Sequence, residues 1–110
     1  MEYQHKNLAG GRWKKLSFFE QMANIGSEIE RTIKWKNKNN VKYSQMAFER
    51  ALELLDLTIE NEKNKSHLKE LSRVREVLAD HFCFENIYQS TDKSWQKYFY
   101  AFNFAARINK

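Results

Sequence analysis

Apolar residues recur at three- and four-residue intervals in four stretches of this 110-residue chain, and short polar tracts separate the stretches. This spacing places the apolar side chains on one side of an α-helix. Alternation of apolar and polar residues, which is typical of β-strands, never extends beyond a few positions. The sequence also contains no proline, so that residue forces no helix to end or kink. These features predict an all-α fold.

The polar tracts set the bounds of four predicted helices, at residues 17–38, 41–61, 66–84 and 92–108. Ser17 and Glu20 form a capping-box pattern at the start of the first helix. Gly26, inside that helix, predicts the close approach of a neighbouring helix, since glycine there costs roughly 1 kcal/mol relative to alanine. The tract 61–66 is rich in charged and amide side chains, and we expect it to be exposed.

Short connections favour antiparallel neighbours. We therefore predict a four-helix antiparallel up-down-up-down bundle over residues 17–110, preceded by a short N-terminal arm over residues 1–16. The chain length is that of one domain. No apolar run approaches the ~20 residues of a membrane span, and the first fifteen residues lack the apolar stretch of a secretory signal. The single cysteine, Cys83, fits a reducing compartment, so we predict a cytoplasmic protein without a membrane partner.

The fourth predicted helix is apolar on two sides. One side suits the core of a bundle, whereas the second side needs a further partner. The row on this second side consists of Tyr100, Phe104 and Ile108. We predict that the row forms a homodimer interface. The alternative is that the N-terminal arm covers the row through Tyr3, Leu8 and Trp13.

Basic residues are concentrated around the connection between the first two helices, in a chain with a net charge of +5. An exposed aromatic ring among cations is typical of surfaces that stack on a base and pair with phosphates. The candidate nucleic-acid-binding residues are Lys34, Trp35, Lys36, Lys38 and Lys42. In the alternative interpretation, Trp35 packs over this connection or lies in a subunit interface.

The sequence lacks the usual patterns of metal binding and nucleophilic catalysis. Its three histidines lie in different segments, and Glu-x-x-His occurs only once, at Glu2–His5 before the first predicted helix, whereas the di-iron pattern needs it on two helices. Cys83 lies two residues after His81, and this spacing directs the two side chains to different sides of a helix. We therefore expect no metal and no cofactor.

Arg75 and His81 are the candidate catalytic residues. Arg75 falls within the apolar stripe of the third helix, where a charge requires a partner. The expected partner is a carboxylate, from Glu28 or from an acidic row on the second helix, or else a ligand phosphate. The acidic row consists of Glu49, Glu53, Asp56 and Glu60. If Arg75 is structural, Arg75→Ala is expected to cost ~3–5 kcal/mol. His81 falls at the edge of the stripe, so we expect His81→Ala to cost little.

An arginine followed six positions later by histidine, late in a small helical bundle, resembles the HEPN domain. The resemblance implies a dimeric bundle that is a metal-independent RNase, or an inactive partner of a small nucleotidyltransferase, often in a toxin–antitoxin pair. It also implies that Arg75 holds the scissile phosphate and that His81 acts in proton transfer. Six helical residues separate the two α-carbons by ~9 Å along the axis, so a joint site requires a dimer.

The sequence as a whole favours a non-enzymatic binding or assembly module with a protein or nucleic-acid partner. The HEPN-type RNase, or its inactive relative, is the alternative.

Overall fold

The computed structural model describes residues 11–108, which contain helices and no strand. The four α-helices are α1 (Phe18–Asn37), α2 (Val41–Glu60), α3 (Leu68–Cys83) and α4 (Asp92–Ile108), and two short 3₁₀ turns span Trp13–Lys15 and Glu62–His67. The all-α prediction is confirmed, and every predicted helix end lies within two residues of the observed one. Residues 1–10 of the predicted arm, including Tyr3 and Leu8, lie outside the described residues.

The first backbone N–H groups of a helix have no acceptor within the helix. Here, side chains at the helix starts accept hydrogen bonds from them. Ser17 Oγ accepts from the Glu20 backbone at 3.1 Å, and the Glu20 carboxylate accepts from the Ser17 backbone at 3.0 Å, which confirms the predicted capping box. Asn40 caps α2 through its side-chain oxygen. Thr91 and Ser94 form a reciprocal pair at the start of α4, with both distances 3.0 Å.

Each helix runs antiparallel to its neighbours, because later residues of one helix contact earlier residues of the next. The contacts are Thr32–Ser44 and Glu28–Arg50 between α1 and α2, Phe48–Phe82 and Asp56–Arg75 between α2 and α3, His81–Asp92 and Glu70–Tyr98 between α3 and α4, and Lys36–Asp92 and Gly26–Phe99 between α4 and α1. This ring of antiparallel neighbours is the predicted up-down-up-down bundle.

The core joins mainly aliphatic side chains of α1, α2 and α3 to aromatic side chains of α4. Its members include Met22, Ile25, Ile29, Ile33, Phe48, Leu54, Leu55, Leu71, Val74, Leu78, Trp95 and Phe99. A Cβ at Gly26 would lie 2.7 Å from the Phe99 Cβ, so this glycine allows α4 to approach α1 closely, as predicted. None of the described helices has both the length and the apolar character required to cross a membrane.

One end of the core is polar and was missed by the sequence analysis. Trp13 is only 2% exposed, and its indole N–H donates to Thr58 Oγ1 at 2.9 Å. The Gln21 amide donates to the Trp13 carbonyl at 2.9 Å. Asn64 donates to the Gln21 side chain at 2.8 Å and to the Thr58 carbonyl at 3.0 Å. This network fastens the segment before α1 and the connection after α2 to the bundle.

The expectation that residues 61–66 are exposed was wrong at two positions. Asn61 and Asn64 are buried. Burial of an amide side chain is tolerated where hydrogen bonds replace those to water. Asn64 has two such partners: Gln21, which lies 43 positions away in the sequence, and Thr58, which belongs to α2. Its burial therefore depends on tertiary contacts and not on the local composition of the tract.

Candidate functional site

Arg75 pairs with a carboxylate of the acidic row on α2, which is one of the partners predicted for it. Its Nε lies 2.7 Å from Asp56 Oδ1, and its Nη2 lies 3.4 Å from Asp56 Oδ2. The hydrogen bond to Asp56 raises the pKa of Arg75, while partial burial acts in the opposite direction. The Arg75 side chain is 42% exposed and that of Asp56 is 38% exposed. The expectation of a charge enclosed in a low-dielectric site was therefore wrong.

His81 is more deeply buried than predicted. Its side chain is only 8% exposed, and its Nε2 lies 2.8 Å from Asp92 Oδ1. The ring also contacts Phe82 edge-to-face, with 4.6 Å between ring centroids. The Nδ1 atom is buried and has no hydrogen-bond partner among residues 11–108. The prediction of an edge histidine that buries little was wrong, because the first residue of α4 covers the end of α3.

Asp92 joins the ends of three helices. Its Oδ1 accepts from Lys36 Nζ at 2.7 Å as well as from His81. Burial alone would raise the pKa of Asp92, but the hydrogen bonds from Lys36 and His81 outweigh burial and lower this pKa. Asp92 is therefore an anion at neutral pH, and it holds His81 in place.

Arg75 and His81 contact carboxylates on different elements, Asp56 on α2 and Asp92 on α4. Within residues 11–108 of one chain, the two candidate catalytic side chains have no common ion-pair partner. No three His, Cys, Asp or Glu side chains in the described part of the chain are placed to share a metal ion. Cys83 is exposed, and partial burial together with the charge of Glu49 raises its pKa. A thiol with a raised pKa is a poor nucleophile at neutral pH.

The predicted nucleic-acid-binding residues do not form a single cluster. Trp35 is half-buried and packs edge-on against Tyr43, with 5.0 Å between ring centroids. The ammonium groups of Lys34 and Lys38 lie 6.0 and 5.3 Å from the centroid of the Trp35 ring. Lys36 lies apart from these residues, with its ammonium group against Asp92 and 5.2 Å from the centre of the Phe82 ring.

Lys42 is exposed in the first turn of α2, next to the connection that joins α1 and α2. Trp35 contacts Tyr43 across this connection. The structure thus places Trp35 as the alternative interpretation describes, packed over the turn. Three of the predicted residues, Lys34, Trp35 and Lys38, remain together on the surface.

The predicted interface row on α4 is exposed along its whole length. Tyr100, Phe104 and Ile108 are 61%, 51% and 63% exposed. A groove of about 500 Å³ lies beside the row, between α1 and α4. Gly26 and Phe99 line this groove together with Tyr100, so the groove and the row share one wall.

A second exposed apolar surface was not predicted. The tract between the third and fourth predicted helices was expected to be only a connection, yet Ile87 within it and Phe84 immediately before it are highly exposed. Large apolar residues inside a polar connection are the sequence feature that indicates such a surface. No protein-family model, curated protein or solved structure matches the chain. Function is therefore inferred from the surfaces described above.

Proposed function

We propose that the protein is a binding and assembly module that acts as a homodimer through α4. The observation that carries the proposal is the exposed row Tyr100, Phe104 and Ile108, on the side of α4 opposite to its core contacts. Full burial of a side chain of this kind contributes roughly 1.5–3 kcal/mol. A contiguous apolar row on an otherwise polar surface is typical of a protein interface.

The groove beside the row suits contact between two copies of the same chain. A twofold interface brings together two identical patches, so each patch must be self-complementary. Glu30 lies on the α1 wall of the groove, and Lys93 and Lys97 lie on the α4 wall. Because the patch carries both signs of charge, Glu30 of one copy can pair with a lysine of the other copy.

Phe104→Asp is expected to convert the dimer into a folded monomer. The substitution removes an aromatic ring that is about half exposed in the monomer. It also adds a carboxylate that would lose its water when the dimer forms. Each copy loses roughly half of the 1.5–3 kcal/mol of full burial, because Phe104 is only 51% exposed in the monomer, so the two copies together lose roughly 1.5–3 kcal/mol and dimerisation weakens more than tenfold. Sedimentation velocity measures the mass, and circular dichroism verifies the helical content. Val41→Asp is the control, since it adds the same charge at an apolar residue that is 74% exposed but lies on α2. A wild-type monomer at tens of micromolar would contradict the proposal.

A second candidate function is the binding of single-stranded nucleic acid at the α1–α2 connection. Lys34 and Lys38 flank Trp35 and have no ion-pair partner within residues 11–108. Tyr43 extends the aromatic surface and is itself partly exposed. Ammonium groups beside aromatic rings are the combination with which proteins bind a strand without base specificity.

Single-stranded RNA is expected to quench tryptophan fluorescence at low salt through Trp35, because Trp13 and Trp95 are buried. Trp35→Ala should weaken binding by roughly 1–3 kcal/mol if a base stacks on the ring. Lys34→Ala and Lys38→Ala should each weaken binding and reduce its salt dependence. Lys36→Ala is the control, because Lys36 is paired with Asp92. Unchanged fluorescence at low salt would exclude this function.

The HEPN-type RNase, or its inactive relative that partners a nucleotidyltransferase, has less support. In the dimer, two copies of α3 would have to place Arg75 of one chain and His81 of the other on the same phosphate. Both side chains would first have to leave their carboxylate partners, Asp56 and Asp92. We therefore infer that Arg75 and His81 are structural.

Mutation distinguishes the structural roles from the catalytic ones. Arg75→Ala should lower the free energy of unfolding by about 1 kcal/mol, since about two-fifths of each side chain in the pair with Asp56 is exposed and water weakens the interaction. His81→Ala should lower it by about 1–3 kcal/mol, since a buried ring and its hydrogen bond to Asp92 are lost. Urea unfolding measures both. A structured RNA incubated with the wild type and EDTA should stay intact. Cleavage that each folded alanine variant lacks would instead assign catalysis to the pair.

A further inference from the structure

The connection between α3 and α4, residues 84–91, presents an apolar surface that neither proposed function uses. Phe84 is 74% exposed and Ile87 is 70% exposed. Tyr88 lies next to them and is also partly exposed. Among the large apolar side chains of residues 11–108, Val41 is the only other one with an exposure this high. Apolar side chains that are grouped and left in water usually belong to an interface.

The backbone of this connection is held by Asp80 on α3. One carboxylate oxygen of Asp80 accepts from the Ile87 backbone N–H at 2.9 Å, and the other accepts from the Tyr88 backbone N–H at 3.0 Å. Asp80 itself is buried. Hydrogen bonds from backbone N–H groups to an ionised acceptor are among the stronger ones in proteins. The position of Ile87 is therefore fixed relative to α3.

A second set of contacts ties the connection to the core. The Asn86 side chain donates to the Ser90 carbonyl at 2.9 Å and accepts from the Ser90 backbone at 3.1 Å. Ser90 Oγ accepts from the indole N–H of the core residue Trp95 at 3.1 Å. Asn86 and Gln89 both have left-handed backbone conformations, with φ of 56° and 55°. Glutamine rarely adopts this conformation, which indicates that the surroundings impose the shape of the connection.

The exposed apolar residues surround a hollow with an acidic wall. The hollow has a volume of about 510 Å³ and is lined by Glu76, Asp80, Phe84, Glu85, Ile87 and Tyr88 among others. No lysine or arginine is among its described lining residues. Tyr88 donates its hydroxyl to Glu76 at 2.7 Å, and Arg73, outside the hollow, lies 5.0 Å from the centre of the Tyr88 ring. Glu76 and Glu85 are exposed, so their carboxylates on the wall of the hollow are accessible to a cationic group.

We propose that this hollow is a docking site for a basic amphipathic segment of a partner protein, in which lysine or arginine lies next to aliphatic side chains. The aliphatic side chains would pack against Phe84 and Ile87, and the basic groups would pair with Glu76 and Glu85. Charge complementarity selects this partner over an acidic or a neutral one. The fixed backbone adds to affinity, because little conformational freedom is lost on binding.

The test uses a fluorescein-labelled synthetic peptide of leucine and lysine with helical amphipathic spacing, and fluorescence anisotropy as the readout. The wild type should bind this peptide, and should bind a matched leucine–glutamate peptide at least tenfold more weakly. Phe84→Ala combined with Ile87→Ala should reduce affinity at least tenfold. Glu76→Gln combined with Glu85→Gln should reduce affinity and flatten its salt dependence. Val41→Ala is the control and should leave affinity unchanged, since Val41 is equally exposed on α2.

Several results would overturn the proposal. One is undiminished binding of the lysine peptide by the Phe84 and Ile87 double variant, once circular dichroism has verified its fold. Another is equal affinity for the glutamate peptide. If the same double variant lost wild-type self-association, the surface would belong to a contact between copies of this chain. If it lost binding to vesicles of anionic lipid while its peptide binding was unchanged, the surface would belong to a membrane contact.

Discussion

Trp13→Ala is expected to lower the free energy of unfolding by about 3–5 kcal/mol, the range for loss of a buried tryptophan. Trp13 is 2% exposed and lies in the core. The substitution also removes the indole donor to Thr58. Because each kcal/mol shifts the melting temperature of a small domain by roughly 4–8 °C, the change should be at least 10 °C by this scale. Thermal unfolding followed by circular dichroism measures it.

Two variants separate the sources of this effect. Trp13→Phe retains an aromatic ring and removes the hydrogen bond to Thr58. Loss of this bond should lower the free energy of unfolding by about 1 kcal/mol, in addition to the cost of repacking around the smaller ring. Trp35→Ala removes a half-buried tryptophan from the surface and should cost clearly less than Trp13→Ala. Equal destabilisation by Trp13→Ala and Trp35→Ala would mean that the segment before α1 does not contribute to the core as described.

Asp80→Ala should also strongly destabilise the protein. The variant leaves the backbone N–H groups of Ile87 and Tyr88 without their acceptor, and each such bond to a charged group is worth about 1.5–3 kcal/mol. Because this connection is close to solvent, water replaces part of the loss, and we expect a total of about 2–4 kcal/mol. Urea unfolding at neutral pH measures the change.

The control for Asp80→Ala is Glu85→Ala, which removes an exposed carboxylate five residues later and should change stability by less than about 0.5 kcal/mol. Hydrogen exchange gives a local readout. Asp80→Ala should accelerate exchange at Ile87 and Tyr88 more than in the middle of α1. Unchanged protection at these two residues would show that the carboxylate does not hold the connection.

The helices were predictable because their determinants are local. The apolar spacing of α1 to α4 repeats within each helix, and the Ser17–Glu20 capping box involves residues three apart. Gly26 indicated a close helix approach because glycine destabilises a helix interior and is expected there only where a larger residue would not fit. The contact with Phe99 leaves no room for a larger residue at this position. The antiparallel order followed from the short connections between the helices.

The parts that the sequence did not predict depend on contacts between distant residues. The hydrogen bond between Trp13 and Thr58 spans 45 positions, and the one between Gln21 and Asn64 spans 43. Neither pair leaves a periodic pattern in the sequence. The buried polar end of the core therefore becomes visible only once the helices are assembled.

The depth of burial of the candidate site residues was also not predictable from the sequence. A helical projection gives the direction of a side chain but not its depth, so Arg75 was placed too deep and His81 too shallow. The depth of His81 depends on Asp92, which belongs to another helix. The same projection could not separate Lys36 from Lys34 and Lys38, because the pairing of Lys36 with Asp92 spans 56 positions.

The proposed α4 homodimer is tested most directly by a cysteine beside the exposed row, at a position that leaves Tyr100, Phe104 and Ile108 in place. Ala101 is exposed on α4, and Ala101→Cys in a Cys83→Ser background leaves one thiol per chain, since Cys83 is the only natural cysteine. If the two α4 rows face each other across a twofold axis, mild oxidation should yield a disulfide-linked dimer in high yield. Val41→Cys in the same background should remain largely monomeric on denaturing gels. A lack of crosslinking at position 101, or equal crosslinking at position 41, would contradict the proposed dimer.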